Sequence, residues 1–222
     1  MCQRGDHSCL YSCALRGGRK IELRGKLIVF EGLDFTGKST QVEILAKSLR
    51  EIELPVTMTR EPGGTKLGEA VRKVILSREN MDLLPLSELS LFITCRAQLS
   101  AEVIEPALFA GHVVVSSRFR LSSLAYQGYG RGLDLRLIEQ MNEIATSGRQ
   151  PDVTFLLDLS AENALERRGQ ESDRIEQEDL EFYRRVRTGY LDLTRGDPSV
   201  HLLDATRPIE EIAAGVLRHL GL

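Results

Sequence analysis

Gly32-Leu33-Asp34-Phe35-Thr36-Gly37-Lys38-Ser39 decides the reading of this chain. The segment fits G-x-x-x-x-G-K-[ST], and its surroundings give the match its weight. Before it, Leu27-Ile28-Val29-Phe30 is the short apolar run expected of a buried parallel strand, which ends at Glu31. After it, a helical pattern opens at about Lys38, with Val42, Leu45, Ala46 and Leu49 on one face. Between a strand and a helix, Gly32 and Gly37 let the backbone turn its N–H groups inward. The helix N-terminus adds to the same positive field. Lys38 is placed to reach the β- and γ-phosphates of a nucleotide, and the Ser39 hydroxyl to ligate Mg²⁺. A glycine turn that merely starts a helix has no need of Lys followed by Ser.

Outward from this loop the pattern stays regular. Val56 to Thr59 reads as a second strand, and helical spacing covers 66–77 and 86–109. His112-Val113-Val114-Val115-Ser116 is a third strand, followed by a helix over about 133–147. Val153 to Leu159 is a fourth strand, and Ser160 stands as N-cap to a helix from Ala161. Residues 176–195 read as a helix with Leu180, Tyr183, Val186, Tyr190 and Leu193 on one stripe. Val200 to Leu203 is a fifth strand, and a helix closes the chain. Strands alternating with helices predict an α/β fold on a parallel sheet. No repeat, low-complexity tract or interdomain linker interrupts residues 25–222, which read as one domain.

The chain has 222 residues, with 42% hydrophobic and 27% charged, a balance that suits a globular fold rather than disorder. Net charge is −3. Residues 1–24 are basic, with Arg4, Arg16, Arg19, Lys20 and Arg24 against Asp6 and Glu22, so the remainder is acidic. An acidic body argues against duplex nucleic acid as partner, while leaving room for a small phosphorylated ligand. No apolar run approaches the length of a membrane span.

Residues 1–24 lack helical or strand periodicity and read as a disordered leader, with a targeting peptide as the alternative. Cys2, Cys9 and Cys13 match no strong zinc spacing, and only Cys95 lies in the body. The fold therefore does not rest on internal disulfides, which suits a reducing, cytoplasmic setting.

A phosphate loop alone leaves a switch GTPase, an ATPase and a kinase open. Guanine readers carry an Asn-Lys-x-Asp segment after a later strand, where this chain has Asp158-Leu159-Ser160-Ala161. Two further basic groups sit at carboxyl ends of strands. Arg60-Glu61-Pro62-Gly63-Gly64-Thr65 follows the second, and Arg118-Phe119 follows the third, with Ser122 to Gly128 just beyond. A triphosphate donor alone does not need this apparatus; a second phosphorylated molecule does.

These segments resemble the bacterial-type thymidylate kinase family, a branch of the P-loop nucleoside monophosphate kinases. The resemblance rests on Phe30 to Thr40, Thr59 to Thr65, Ser123 to Gly132, Asp173-Arg174-Ile175-Glu176-Gln177-Glu178 and Asp204-Ala205-Thr206-Arg207-Pro208, in order along the chain. It implies a three-layer P-loop NTPase fold with five parallel strands flanked by helices, a short lid over about 166–176, and usually a homodimer. It also implies Mg²⁺- and ATP-dependent phosphorylation of dTMP to dTDP. By this resemblance Gly32, Leu33, Asp34, Phe35, Thr36, Gly37, Lys38, Ser39, Thr40 and Ala205 hold ATP, with Ala205 to Arg207 along the adenine. Phe92 looks like the aromatic that stacks on thymine, and Arg96, on the same helix face, like the donor to a base carbonyl. Arg118 looks like the anchor of the acceptor phosphate, with Asp34, Arg60 and Glu61 nearby. Ser123, Tyr126 and Gln127 look like acceptor contacts, the Tyr126 ring crowding the 2′ position. The lid is expected to bring the catalytic arginine, Arg168 first and Arg174 second, because Leu33 to Thr36 hold none. Ser39 and Glu176 are the metal-site candidates.

Two positions depart from the family pattern. Ser117 stands directly before Arg118, where the family has an Asp expected to help hold Mg²⁺ through water. Phe35 stands where the family has a small residue, often Gly. These departures sustain two rivals: a nucleotide-binding protein with little catalysis, and a kinase for another nucleotide or deoxynucleoside, for which Glu31 is the conceivable base.

Overall fold

The computed structural model describes residues 22–170 and 172–222. The leader reading and its three cysteines fall almost wholly outside the described residues.

Five strands, β1 (Leu27–Gly32), β2 (Val56–Arg60), β3 (Val113–Ser117), β4 (Val153–Asp158) and β5 (Val200–Asp204), form one sheet in the order β2-β3-β1-β4-β5. Every pairing is parallel. β1 and β3 are buried along their whole length, whereas the edge strands β2 and β5 alternate between half-buried and exposed residues. A central parallel strand is covered on both faces, which is why Leu27 to Phe30 is an unbroken apolar run. The pleat divides that run. Ile28 and Phe30 pack with Leu45, Leu49 and Phe155 on one face. Leu27 and Val29 pack with Leu99, Ile104, Val114 and Phe119 on the other.

The helices are α1 (Lys38–Glu51), α2 (Lys66–Leu76), α3 (Pro85–Leu99), α4 (Glu105–Phe109), α5 (Arg120–Ser123), α6 (Leu135–Thr146), α7 (Ala161–Glu166), α8 (Leu180–Leu193) and α9 (Ile209–Leu220). Ser160 caps α7 as expected, its side chain accepting from the Asn163 N–H at 3.1 Å.

One expected helix is widened within its length and another is shorter than its periodicity suggested. The run read over 86–109 is helical throughout, with a π-type turn at Ser100–Ile104 between α3 and α4. Pro106 is the cause, since it has no N–H to donate and its ring crowds the preceding turn. The run read over 176–195 starts only at Leu180. Asp179 caps it, accepting from Phe182 N–H at 2.7 Å, while Asp173 Oδ1 accepts from the N–H groups of Ile175 and Glu176 at 2.9 Å. That local turn competes with helix and wins. Residues 124–130, to which no helix was assigned, form a second π-type segment after α5.

α8 lies against this π segment, and two glycines permit the approach. A Cβ on Gly130 would stand 2.7 Å from the Phe182 ring, and one on Gly189 would stand 2.6 Å from the Tyr129 ring. Gly189→Ala should therefore lower the unfolding free energy by about 1–3 kcal/mol in urea titration. Gly169→Ala, at an open position, should stay within about 0.5 kcal/mol of the parent. Equal stability of the two variants would contradict the close approach.

Candidate active site

In the order β2-β3-β1-β4-β5 the strand order reverses beside β1, and an open parallel sheet binds ligands at the carboxyl ends of its strands there. The phosphate loop and one of the two basic groups singled out from the sequence, Arg118, meet at this point. The loop Gly32–Ser39 leaves β1, and Arg118 leaves the neighbouring β3.

The loop is built on two glycines. Gly32 has φ 135°, and a Cβ there would lie 2.5 Å from the Leu157 carbonyl oxygen. Gly37 has φ 89° and caps α1. Lys38 Nζ folds back onto the loop, donating to the carbonyls of Gly32 at 3.1 Å and Leu33 at 2.5 Å. Burial, together with the nearby Arg118 guanidinium, pulls the Lys38 ammonium down to about 7. The departure at Phe35 is visible in the backbone. This half-buried residue sits at φ 65°, in the left-handed region that glycine enters without steric cost.

Arg118 also sits in the left-handed region, at φ 72°. Its Nη2 donates to Asp34 Oδ1 at 2.5 Å and to Tyr126 Oη at 3.1 Å. Its Nη1 donates to the Gly32 carbonyl at 3.3 Å, Ser122 Oγ at 3.2 Å and Tyr190 Oη at 3.3 Å. The guanidinium also stacks over the Tyr126 ring, 4.8 Å from its centroid. Tyr126 Oη donates to Asp34 Oδ2 at 2.8 Å. Burial works against ionisation of Asp34, but Arg118 and Lys38 outweigh it and hold the carboxyl below its usual range. Glu31 differs: burial pushes its carboxyl up. It is 1% exposed and accepts from Ser122 Oγ at 2.5 Å, Phe119 N–H at 2.8 Å and Tyr190 Oη at 3.0 Å. So enclosed, Glu31 is not placed to act as base on a ligand hydroxyl.

A cavity of about 100 Å³ opens beside this cluster. Asp34, Glu61, Phe92, Arg118, Ser123, Tyr126, Gln127 and Glu176 line it, so eight residues expected at a ligand or metal site share one wall. Four others lie elsewhere. Arg60 is exposed and pairs with Glu69 at 3.0 Å. Arg96 is fully buried behind the wall. Its donors go to Glu61, to Ser123 Oγ at 2.8 Å, to Asn142 Oδ1 at 2.5 Å and to the Phe119 carbonyl at 3.0 Å. All five of its N–H groups are thereby engaged, so its first role here is to hold Glu61 and Ser123 in place. Arg174 is 3% exposed and spends its charge on Glu88 at 2.7 Å and on the Ile75 carbonyl at 2.8 Å. Arg168 is exposed and donates to the Glu176 carbonyl at 2.8 Å.

The sequence reading missed Arg72, which lines the cavity and donates to the Pro62 carbonyl at 2.8 Å. Its signal was a basic residue one helical turn after Gly68 in the segment that follows Arg60–Thr65. It also took Tyr183 and Tyr190 for plain core, although their hydroxyls point at Asp34 (3.4 Å) and Glu31 (3.0 Å).

On the other side of the loop, a cavity of about 440 Å³ is lined by Thr36, Gly37, Thr40, Arg167, Ala205 and Ile209. Arg167 Nη2 donates to the Ala205 carbonyl at 3.0 Å. Among the described residues no cluster of three His, Cys, Asp or Glu side chains could cage a metal. Ser39 is exposed at the first turn of α1, and Glu176 Oε2 accepts from Asp173 N–H at 2.9 Å. Such a donor set fits a Mg²⁺ ion carried on nucleotide phosphates with most of its water retained.

The thymidylate kinase family model matches residues 30–216. Thymidylate kinase of Pelotomaculum thermopropionicum is 46% identical over 200 residues, covering 88% of this chain and 93% of that protein. The enzyme of that name from Caldanaerobacter subterraneus is 47% identical over 182 residues, covering 82% and 87%. The crystal structure of thymidylate kinase from Ehrlichia chaffeensis superposes with a TM-score of 0.75 at 35% identity, covering 90% of this chain and 100% of that one.

The depressed Lys38 ammonium has a measurable consequence. Above pH 7 the empty loop holds it largely neutral, and a bound polyphosphate favours its charged form. At about pH 8.5, binding of ATP should therefore take up about one proton, seen by calorimetry in buffers of differing ionisation enthalpy. Uptake close to zero would show that Lys38 is already charged in the empty loop.

Proposed function

The chain belongs to the thymidylate kinase family, and we propose that it transfers the γ-phosphoryl group of ATP to the phosphate of dTMP with the groups that converge at the ends of β1 and β3. The observation that carries this reading is the Arg118–Asp34–Tyr126 cluster, set between the phosphate loop and a cavity walled by Phe92, Ser123 and Gln127.

Phosphoryl transfer asks for positioning and for positive charge around the transferred group rather than for covalent chemistry. The phosphate of dTMP is itself a competent nucleophile, so no strong base is needed. Arg118 receives that phosphate, which replaces Asp34 on part of the guanidinium. Phe92 stacks on the base, and Ser123 and Gln127 meet its edge. The Tyr126 ring stands at the sugar and disfavours a 2′-hydroxyl. Lys38 leaves the loop carbonyls for the β- and γ-phosphates of ATP, whose adenine lies by Ala205 and Arg167. Segment 166–176 acts as the lid, from which Arg168 reaches the transferred group while Arg174 anchors the lid through Glu88. Mg²⁺ would neutralise phosphate charge, with Ser39 as the residue that would hold it and Glu176 and Asp34 as the carboxylates that would support it.

A second copy of the chain is the expected partner. α2, α3 and α6 leave Leu67, Val74, Leu86, Leu137 and Ile144 exposed, apolar side chains at spacings that a homodimer would cover. No helix among the described residues is long and apolar enough to cross a membrane, and Cys95 is a buried free thiol. Both suit a cytoplasmic enzyme.

Nothing favours the binding-only rival, and the enclosure of Glu31 removes the base that a deoxynucleoside kinase would want. ADP release with Mg²⁺-ATP and dTMP, dUMP, UMP, CMP, AMP or thymidine offered separately should be greatest with dTMP. No turnover with any acceptor, while dTMP still binds, would overturn the proposal. Ser117→Asp should restore a carboxylate beside the phosphates and lower the Mg²⁺ concentration for half-maximal rate by about threefold or more. An unchanged Mg²⁺ dependence would mean that Ser117 is no handicap.

A further inference from the structure

Glu88 lies in the first turn of α3 with 1% of its surface exposed. Arg131 donates to it from Nε at 3.2 Å and from Nη2 at 3.1 Å, and Arg174 pairs with it at 2.7 Å. Burial opposes its charge, but the Arg131 guanidinium, with Gln127 and Arg174 in support, holds the carboxyl below its usual range. An ionised carboxylate accepts hydrogen bonds and donates none. Gln127 therefore has one available orientation: its Nε2 donates to Glu88 Oε1 at 2.9 Å. Turning the amide over would set oxygen against oxygen inside the protein. Gln127 Oε1 has no hydrogen-bond partner among the described residues, yet it is not one of the fully occluded unpartnered atoms. Since Gln127 lines the acceptor cavity, that oxygen faces the open space.

We propose that Glu88 is a positioning residue for base selection: it locks the Gln127 amide so that Oε1 is presented to the acceptor base, which must then offer an N–H donor. Thymine and uracil carry N3–H and satisfy it. Cytosine presents a lone pair at N3 and meets an acceptor with an acceptor, a mismatch that leaves both groups unpaired. This rests on the reading above that Gln127 meets the base edge.

The test compares kcat/KM for dTMP and dCMP. In Glu88→Gln, residue 88 can donate or accept, so the Gln127 amide is free to turn either way. Preference for dTMP over dCMP should fall by about tenfold or more through the ratio of their KM values, while any change in kcat from loosening Arg174 in the lid is common to both acceptors. Glu88→Asp keeps the charge for Arg131 and Arg174 while withdrawing the carboxylate from Gln127, and should move selectivity in the same direction. In a Gln127→Leu background the Glu88 substitutions should have no further effect on selectivity. The parent protein offers a test that needs no variant. One ¹⁵N-bound proton of the Gln127 side chain should be shifted downfield and protected from exchange, and a free, fast-exchanging amide would overturn the proposal. If Gln127→Leu raises the dTMP KM while both Glu88 variants keep their selectivity, the lock is refuted and the base contact stands. If Gln127→Leu leaves the dTMP KM unchanged, the base contact is refuted and the lock falls with it.

Discussion

The site depends on the ion pair between Arg118 and Asp34, shared with the Tyr126 hydroxyl. Each partner belongs to a different segment: Asp34 to the loop after β1, Arg118 to the turn after β3, Tyr126 to the π segment. The pair thus fixes three chain segments to one another at the place where the strand order reverses. Arg118 holds this position at φ 72°, a conformation that costs a non-glycine residue about 1–3 kcal/mol. Its five protein contacts offset that strain. They also fix the orientation of the guanidinium, with Asp34 neutralising its charge.

Around this centre the chain buries charge repeatedly, and three such groups show how it is held. Arg96 holds Glu61 behind the cavity wall. Arg131 and Arg174 hold Glu88 below it. Glu31 is held by a hydroxyl, a phenol and a backbone N–H. A buried ion pair is weak evidence for stability, because desolvation of both partners offsets much of their attraction. Its physical value here is orientation. A carboxylate between two guanidiniums stays ionised and accepts only, so the groups that touch it lose their freedom to turn. The cavity is consequently lined by side chains whose hydrogen-bond direction is set by neighbours the ligand never touches.

The loop after β1 was legible because its geometry is local. Gly32, Gly37, Lys38 and Ser39 lie between the end of β1 and the first turn of α1, and their spacing alone places them there. Phe92, Ser123, Tyr126 and Gln127 were legible through resemblance, and one cavity does gather them. The arginines were not. A sequence states that Arg60, Arg96 and Arg174 carry charge; it does not state which carboxylate neutralises them. The partners Glu69, Glu61 and Glu88 are 9, 35 and 86 positions away, and for two of the three only folding brings them together. One helix start failed for a related reason. Apolar spacing ran from residue 176, but the Asp173 side chain overrides periodicity there with a local hydrogen-bonding constraint, whereas Pro106 widens the helix at Ser100–Ile104 without ending it.

The alternation of strand and helix, the burial of β1 and the anion-binding loop follow from the sequence by itself, because they depend on period, burial and backbone freedom within a few residues. Ser117 and Phe35 were equally visible as departures. The tertiary structure alone decided which charges line the cavity and which are consumed inside the protein. It also decided that two tyrosines on an apolar stripe turn their hydroxyls to Asp34 and Glu31, and that Gln127 has a single orientation. Each of these is set by a distance between residues far apart in the chain. In a low-dielectric interior a buried polar group must find a partner wherever the fold provides one.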